Sequence, residues 1–487
     1  METIDVYWFK RDLRLVDNQA LSEAMSSGRR VLLVYIYEPN IWNDPHYDTR
    51  HLNFIKESIS DINKALKDYD TTILAVVTDV IDFVDCLERV YTINTIFSTQ
   101  ETGLDVTFQR DIIFSKYCQT RGITWKQFQA NGVIRGLKNR STWRKSWYSY
   151  MGSSIPNANL KADALLSVGE LDQLSDNFEF LTLETGEHNF QLGGPTRANL
   201  WMDSFFEERI IHYSEFISKP ENSRYGCSRL SPYLAWGNLS IRMVYQRAFQ
   251  LKKTATSKKQ LSAFISRLRW QSHFIQKFEM EPRMEFEAVN EGFLSLEQPI
   301  KNSFVQRWKD GMTGYPLVDA SMRCVKETGY INFRMRSMVT SFLTHHLFQH
   351  FSTGGPWLAR QFLDFEPGIH YGQMQMQAGL TGTNTVRVYN PVKNAIDHDS
   401  EAIFIKKYVP ELRELPIPLA IKPWTITPLE EEMYQFNYGT DYPKKLVEIS
   451  ETRKVALEKL YGQRKSDLAQ AEKARIVERH VIKRKSK

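Results

Sequence analysis

Over roughly the first quarter of the chain, short unbroken apolar runs alternate with stretches of helical period. The runs fall at 4–9, 29–37 (RRVLLVYIY), 72–77 (TILAVV), 95–98 (TIFS) and 123–128. Each is short and apolar enough to be a strand buried on both faces. Between them, residues 18–26, 50–67, 81–90 and 105–120 carry apolar side chains at helical spacing. In the second of these, Phe54, Ile55, Ile59, Ile62 and Leu66 form one stripe. Strands alternating with helices at this spacing predict βαβ units and a parallel, Rossmann-like sheet.

From about 143 to 187 the strand pattern is lost, and 153–159 and 167–177 are rich in small and polar residues. This predicts a long connection with short helices. Beyond it the spacing is helical at 197–211, 231–250, 259–277, 303–310, 318–328, 336–351, 356–365 and 401–408, with Gly311, Gly314, Gly354, Gly355 and Gly372 as breaks. The predicted organisation is an α/β domain over 1–135, a connection over 136–195, an all-α domain over 196–425 and a helical, basic extension over 426–487, with a helix expected at 442–461.

Composition fits a folded protein of more than one core, with 42% hydrophobic and 25% charged residues in 487. The formal charge is +6, and residues 464–487 hold nine Lys or Arg against three acids, which accounts for all of it. Such an end either meets nucleic acid or is solvated. Cys86, Cys118, Cys227 and Cys324 are scattered, which argues against a zinc site, an iron–sulfur cluster or a disulfide framework and suits a reducing compartment. The N-terminus has no apolar signal core and no run of about 18 apolar residues occurs. The expectation is a cytoplasmic protein with no membrane span.

Ligands of parallel sheets bind beyond the C-terminal strand ends, here 10–17 and 38–43. No GxGxxG follows the first strand, so a dinucleotide fingerprint is missing. The segment KRDLR reads equally as a charged loop with an internal ion pair. A second stretch, YGCSRLSPYLAWG at 225–237, sets Ser228, Arg229 and Ser231 beside a glycine at a helix start. Backbone N–H groups, hydroxyls and a guanidinium there suit a phosphate, or form an ordinary loop and cap. Downstream, Arg334 and Arg336 head a helix, Asp364 and Glu366 follow another, and Gln373, Gln375 and Gln377 come next. Converging, they would suit a large ligand with phosphates and a polar ring; the alternative is one buried salt bridge plus loops.

The segments WFKRDLRLVDNQAL, CSRLSPYLAWG, WKDGMTGYPLVDASMR, TGTNTVRVYNP and FIKKYVPEL, in this order over nearly the whole chain, resemble the photolyase/cryptochrome family. The resemblance implies an α/β antenna domain and an all-α domain holding a U-shaped flavin adenine dinucleotide (FAD). It implies that Ser228, Arg229, Leu230 and Ser231 cradle the phosphates, with Tyr213 and Gln271 as further flavin contacts. It implies that Arg336 and Asp364 pair beside the isoalloxazine, with Glu366 near the adenine or substrate. Trp270 falls where the family presents a Trp to a flipped pyrimidine dimer. Arg334 and Arg387 fall at DNA contacts, and Arg267, Arg269 and Lys393 would extend a basic groove.

Several positions depart from the family pattern. Arg267 replaces an acid, and Trp270-Gln271-Ser272 replaces a W-R-E or W-R-D run. His370 takes the place of an Asn facing the flavin N5, and Met376 that of a second stacking Trp. Phe351 and Met374 interrupt the family's tryptophan electron chain, leaving Trp357 and Tyr371 as another route. Trp270, His370, Tyr371 and Met376 are thus the catalytic candidates. His273, His345, His346 and His370 either transfer protons, as on (6-4) lesions, or pack.

The expected function is light-driven DNA repair, splitting pyrimidine photodimers by electron transfer from reduced flavin, with DNA bearing UV photoproducts as partner. The alternative is a cryptochrome photoreceptor acting on a protein partner. A light-independent flavoprotein oxidoreductase lacks a nicotinamide fingerprint. A second chromophore, a folate, deazaflavin or flavin, would sit in the first domain.

Overall fold

The computed structural model describes residues 1–296 and 298–481. Strands β1 (Thr3–Phe9), β2 (Val31–Tyr37), β3 (Leu74–Val77), β4 (Thr92–Thr99) and β5 (Thr124–Phe128) form one parallel sheet in the order β3-β2-β1-β4-β5. Tyr7 lies opposite Leu33 and Val6 opposite Ile96, so β1 is central. Helices α1 (Gln19–Met25), α2 (Thr49–Leu66), α3 (Val80–Leu87) and α4 (Asp105–Arg121) connect the strands. In β1 every residue but Thr3 is buried, which is why the strand reads as one apolar run rather than an alternation.

The C-terminal strand ends, where a ligand was sought, are packed with the protein's own charges. Lys10 Nζ lies 2.8 Å from Asp111, and Arg110 binds Glu38, Glu101 and Asp111. Both cations sit over the Trp8 ring. The ion pair expected inside KRDLR therefore forms instead with distant acids.

The connection runs back along the sheet: Val77 N–H donates to Glu179 O at 2.8 Å and Leu181 N–H to Ala75 O at 2.8 Å. Its own helices are Trp143–Gly152 and the short Val168–Asp172. The rest of the chain is helical. The elements that matter here are α5 (Ser231–Ala235), α6 (Ile241–Thr254), α7 (Lys258–Met280), α8 (Phe333–Ser341), α9 (Gly355–Gln361), α10 (Pro367–Gln377), α11 (Ile449–Arg464) and α12 (Asp467–His480). Among the described residues no helix is long and apolar enough to cross a membrane.

Two expected helices are interrupted. Residues 231–250 break between α5 and α6, because the loop after β1 docks into the gap. Leu13 N–H donates to Trp236 O, Arg14 to Gly237 O and Asn238 to Leu13 O. Gly237 has φ +81°, and a Cβ there would lie 2.3 Å from Arg11 O and 2.5 Å from the Asp12 Cα. Ser240 then caps α6 through Met243 N–H, while buried Asp17 pairs with Arg242. Residues 336–351 also fail to form one helix: after α8 a single π turn covers Phe342–His346, and Phe348 takes φ +54°.

The extension expected as one helix at 442–461 is a pair, α11 and α12. The second packs back on the body, with Arg475 on Glu281 and Asn290 donating to Ala469 O. Of the basic end, Lys483, Arg484, Lys485 and Lys487 lie outside the described residues.

Gly237→Ala should lower stability by at least about 2 kcal/mol, since it adds a backbone clash to left-handed strain. Gly28→Ala, at φ +79° with nothing within 4 Å of the new Cβ, carries the strain alone. Thermal melts should therefore show the larger drop at Gly237; equal drops would contradict the docking of the loop.

Candidate functional site

Helix α8 opens on Asn332, whose side chain accepts from Met335 N–H at 2.9 Å. One turn later Arg336 reaches the loop between α9 and α10. Its Nη2 donates to Asp364 Oδ1 at 2.9 Å and Oδ2 at 2.8 Å, and its Nε to Ile331 O at 2.9 Å. The guanidinium lies 4.0 Å from the Phe362 ring centroid. The pair is held at both ends, by an aromatic face and a carbonyl on one side and a largely buried carboxylate on the other.

Between α8 and α10 lies a cleft of about 860 Å³, partly open to solvent. Ser231, Asn332, Arg336, Asp364, Glu366 and His370 line it, as do Gln373 and Gln377. Glu366 caps α10, accepting from Gly368 N–H. Burial pushes its carboxyl up to about 7, against the opposing charge of Arg11 3.5 Å away. His370 is buried, and burial pushes its ring down to about 3. Its Nε2 lies 2.9 Å from Gly355 O. A carbonyl only accepts, so Nε2 carries the proton and Nδ1 holds a lone pair.

Two donors beside this cleft are buried without a hydrogen-bond partner among the described residues, Asn332 Nδ2 and Arg229 Nε. Arg229, at φ +57°, lies 3.9 Å from the centroid of Tyr330, a lining residue, and donates to Gln191. Unpartnered buried donors of this kind call for an acceptor, and FAD offers phosphate and ring oxygens. The residues present therefore fit that group.

The remaining candidates lie elsewhere. Ser228 and Leu230 flank Arg229 outside the lining. Tyr213 is buried against Phe205 and Phe264, and burial pushes its hydroxyl well above the ordinary phenol value. Trp270, 44% exposed, rests on His273 and Phe274. Arg267, Gln271 and Trp270 lie on α7. Helices α7 and α10 pack with Gly368 at Ile275 and Gly372 at Phe274. That register puts Trp270 and half-buried Met376 at the same end of the pair. Tyr371 faces away from the cleft, and its hydroxyl bonds His46 Nε2.

The other histidines are tied down. His346 bonds Thr452 and Tyr389 O at 2.8 Å each, His345 bonds Ser341 at 2.9 Å, and His273 bonds Arg140 at 2.7 Å. None of the three lines the cleft.

Arg334, Arg387 and Lys393 line a second, open cleft of about 1180 Å³ together with Arg453 of α11. Asp397 binds Lys393 there at 3.1 Å. Sequence reasoning missed Arg453, one charge among many on an amphipathic helix, and Tyr330, which belongs to no motif. Among the described residues no three His, Cys, Asp or Glu gather to hold a metal.

Known proteins match both halves. The family described as FAD binding domain of DNA photolyase matches residues 264–462, and that described as DNA photolyase matches residues 5–141. A deoxyribodipyrimidine photo-lyase of Vibrio cholerae serotype O1 is 27% identical over 476 residues, covering 92% of this chain and 97% of its own. A cryptochrome DASH of Synechocystis is 25% identical over 466 residues, 90% and 94% of the two chains. Among solved structures, a bacterial class III photolyase from Agrobacterium tumefaciens aligns at TM-score 0.81 with 22% identity, covering 96% and 98%. An archaeal photolyase from Sulfolobus tokodaii with two FAD molecules aligns at 0.78 with 22% identity, covering 95% and 100%.

Glu366 generates a pH prediction. Its folded-state value, about 7, lies above the ordinary 4.5, so the folded chain holds that proton more tightly. The stability it contributes is complete below pH 4.5 and is lost as pH rises through about 7. Glu366→Gln removes this loss. Between those limits the stability difference should move in the variant's favour by on the order of 3 kcal/mol. A difference flat with pH, measured by denaturant titration, would mean that Glu366 titrates normally.

Proposed function

The chain belongs to the photolyase/cryptochrome family, and on that premise we propose that it is a light-driven lyase that splits pyrimidine photodimers in DNA. One observation carries the reading. Arg334 and Arg336, two residues apart on one helix, serve two clefts: Arg336 holds Asp364 in the first, and Arg334 joins Arg387, Lys393 and Arg453 in the second. A ring-binding cleft beside a cation-lined one is what bringing a DNA strand to a flavin requires.

When bound, FAD supplies light absorption and one-electron chemistry. The protein's part is to bind, orient and exclude water. Arg336 and Asp364 would fix the ring edge, with Asn332 Nδ2 and Arg229 supplying hydrogen-bond donors and Ser228, Leu230 and Ser231 the phosphate end. Tyr213 and Gln271 would support that site from outside its lining. His370 presents a neutral lone pair at working pH and accepts a hydrogen bond from a donor on its ligand. Trp270 and Met376 would flank the flipped base, stacking supplying part of the binding energy. Arg267, Arg334, Arg387, Lys393 and Arg453 would neutralise phosphates. A second chromophore would bind in the sheet domain, at an open cleft beyond the strand ends that Glu38, Asn40, Asp79 and Arg110 help to line.

The second reading is a photoreceptor, and two features favour it. Arg267 stands where the family carries an acid, and α12 lies beyond the residues the family description matches. A helix packed back on the body through Glu281 is an element that can move and signal to a partner.

Reduced protein should be irradiated with blue light on oligonucleotides carrying a cyclobutane dimer or a (6-4) photoproduct, with dark controls and chromatographic counting of restored bases. Light-dependent loss of one lesion is expected. Arg387→Ala and Arg453→Ala should each reduce the slope of DNA affinity against log salt by about one. Repair of neither lesion by flavin-loaded protein would move the chain to the photoreceptor reading.

A further inference from the structure

Behind the first cleft, at the contact between the two domains, lies a chain of three polar groups. Tyr371 is 1% exposed, and the only hydrogen-bond partner of its hydroxyl among the described residues is His46 Nε2. His46 is 5% exposed, and its Nδ1 and backbone N–H both meet Asp44 Oδ1. The chemistry fixes the direction of these bonds. A carboxylate only accepts, so His46 Nδ1 carries the proton, Nε2 holds the lone pair, and the Tyr371 hydroxyl donates to it. Burial opposes charge on Asp44, but the His46 bonds prevail and hold its carboxyl below the ordinary value. Asp44 opens on a separate, open cleft of about 1330 Å³ that also holds Asp79, Asp105 and Glu285.

Tyr371 is also close to the first cleft. Its ring centroid lies 5.1 Å from that of His370, a lining residue, and 6.4 Å from that of Phe351. Gly355 packs against both Tyr371 and the lining residue Met374, at 3.6 and 3.7 Å from its Cβ position. A buried phenol that lost an electron while keeping its proton would leave an uncompensated cation in an apolar site, which is very costly. A base in contact with the hydroxyl removes that cost, and a carboxylate behind the base stabilises the cation it becomes.

We infer that Tyr371, His46 and Asp44 form a proton-coupled electron-donor relay serving the FAD cleft. The inference rests on the FAD reading of that cleft. In the step, Tyr371 gives one electron to the light-excited, oxidised isoalloxazine, which gains it. The Tyr371 O–H bond breaks and the proton forms an N–H bond at His46 Nε2. A neutral tyrosyl radical and an imidazolium facing the Asp44 carboxylate result. A thiol in solution, oxidised by one electron, restores the phenol as the proton returns. The relay would take the place of the tryptophan chain that Phe351 and Met374 interrupt.

The same three groups would also clasp the two domains together, so the test needs a readout that a clasp does not move. Full-length protein with oxidised flavin should be illuminated with blue light and followed by transient absorption and electron paramagnetic resonance, with flavin content measured for each sample. A neutral tyrosyl radical is expected, forming more slowly in D₂O and missing in Tyr371→Phe. His46→Gln accepts the phenol's hydrogen bond through its amide oxygen but takes up no proton, so it should slow radical formation about a hundredfold. If Tyr371→Phe fails to fold, the His46→Gln rate and the D₂O comparison carry the test. Flavin-loaded protein with no tyrosyl radical, or with a rate indifferent to His46→Gln, would overturn the relay. A signal lost in Trp357→Phe but kept in Tyr371→Phe would also overturn it, moving the route to the Trp308–Trp357 pair, 5.9 Å apart. Wild-type protein that binds no flavin would instead overturn the reading of the cleft.

Discussion

A carboxylate taken out of water needs a partner held in good geometry, and breaking such a pair leaves a charge that costs several kcal/mol. Asp364 has one in Arg336, bonded through both carboxylate oxygens. The pair joins helix α8 to the loop that leads into α10, and these two helices are the walls of the first cleft. What the cleft offers a ligand follows from that joint. Asn332 is fixed at the head of α8, Glu366 at the head of α10, and His370 one turn further along.

The joint is braced from outside by the sheet domain. Arg11 donates to Phe365 O at 3.0 Å and lies 3.5 Å from Glu366, while stacking on Trp236. Its loop enters the helix break at Gly237, and Asp17 reaches Arg242 beyond it. The two domains are thus fitted through the segment that carries the acids lining the first cleft. A disturbance in the loop after β1 would be felt at Asp364 and Glu366 before it was felt in the sheet.

The strands were legible because strands buried on both faces leave unbroken apolar runs, and the helices because one-sided burial leaves a 3.6-residue period. Arg336, Asp364, Glu366 and His370 were legible from the order of long motifs, and they do share one cleft. The break at Gly237 was not, since α5 and α6 have continuous helical spacing and the cause is a loop more than 200 residues upstream. The π turn at Phe342–His346 has no local signature either. Asp44 and His46 stood in an unremarked polar loop, because their partner Tyr371 lies 325 positions away. The tyrosine itself was marked, with Trp357, as another electron route, but without the partners that its hydroxyl meets. Tyr213 and Trp270 lie outside the lining of the first cleft, in surroundings that no motif describes.

The central claim is that the Arg336–Asp364 joint makes the flavin site. The most direct measurement is the FAD content of purified wild type, Arg336→Ala and Asp364→Ala, by absorbance after denaturation, with circular dichroism to verify folding. Stoichiometric FAD in the wild type and its loss from both folded variants is the predicted result. Full retention of flavin by both variants would contradict the account and place the cofactor elsewhere.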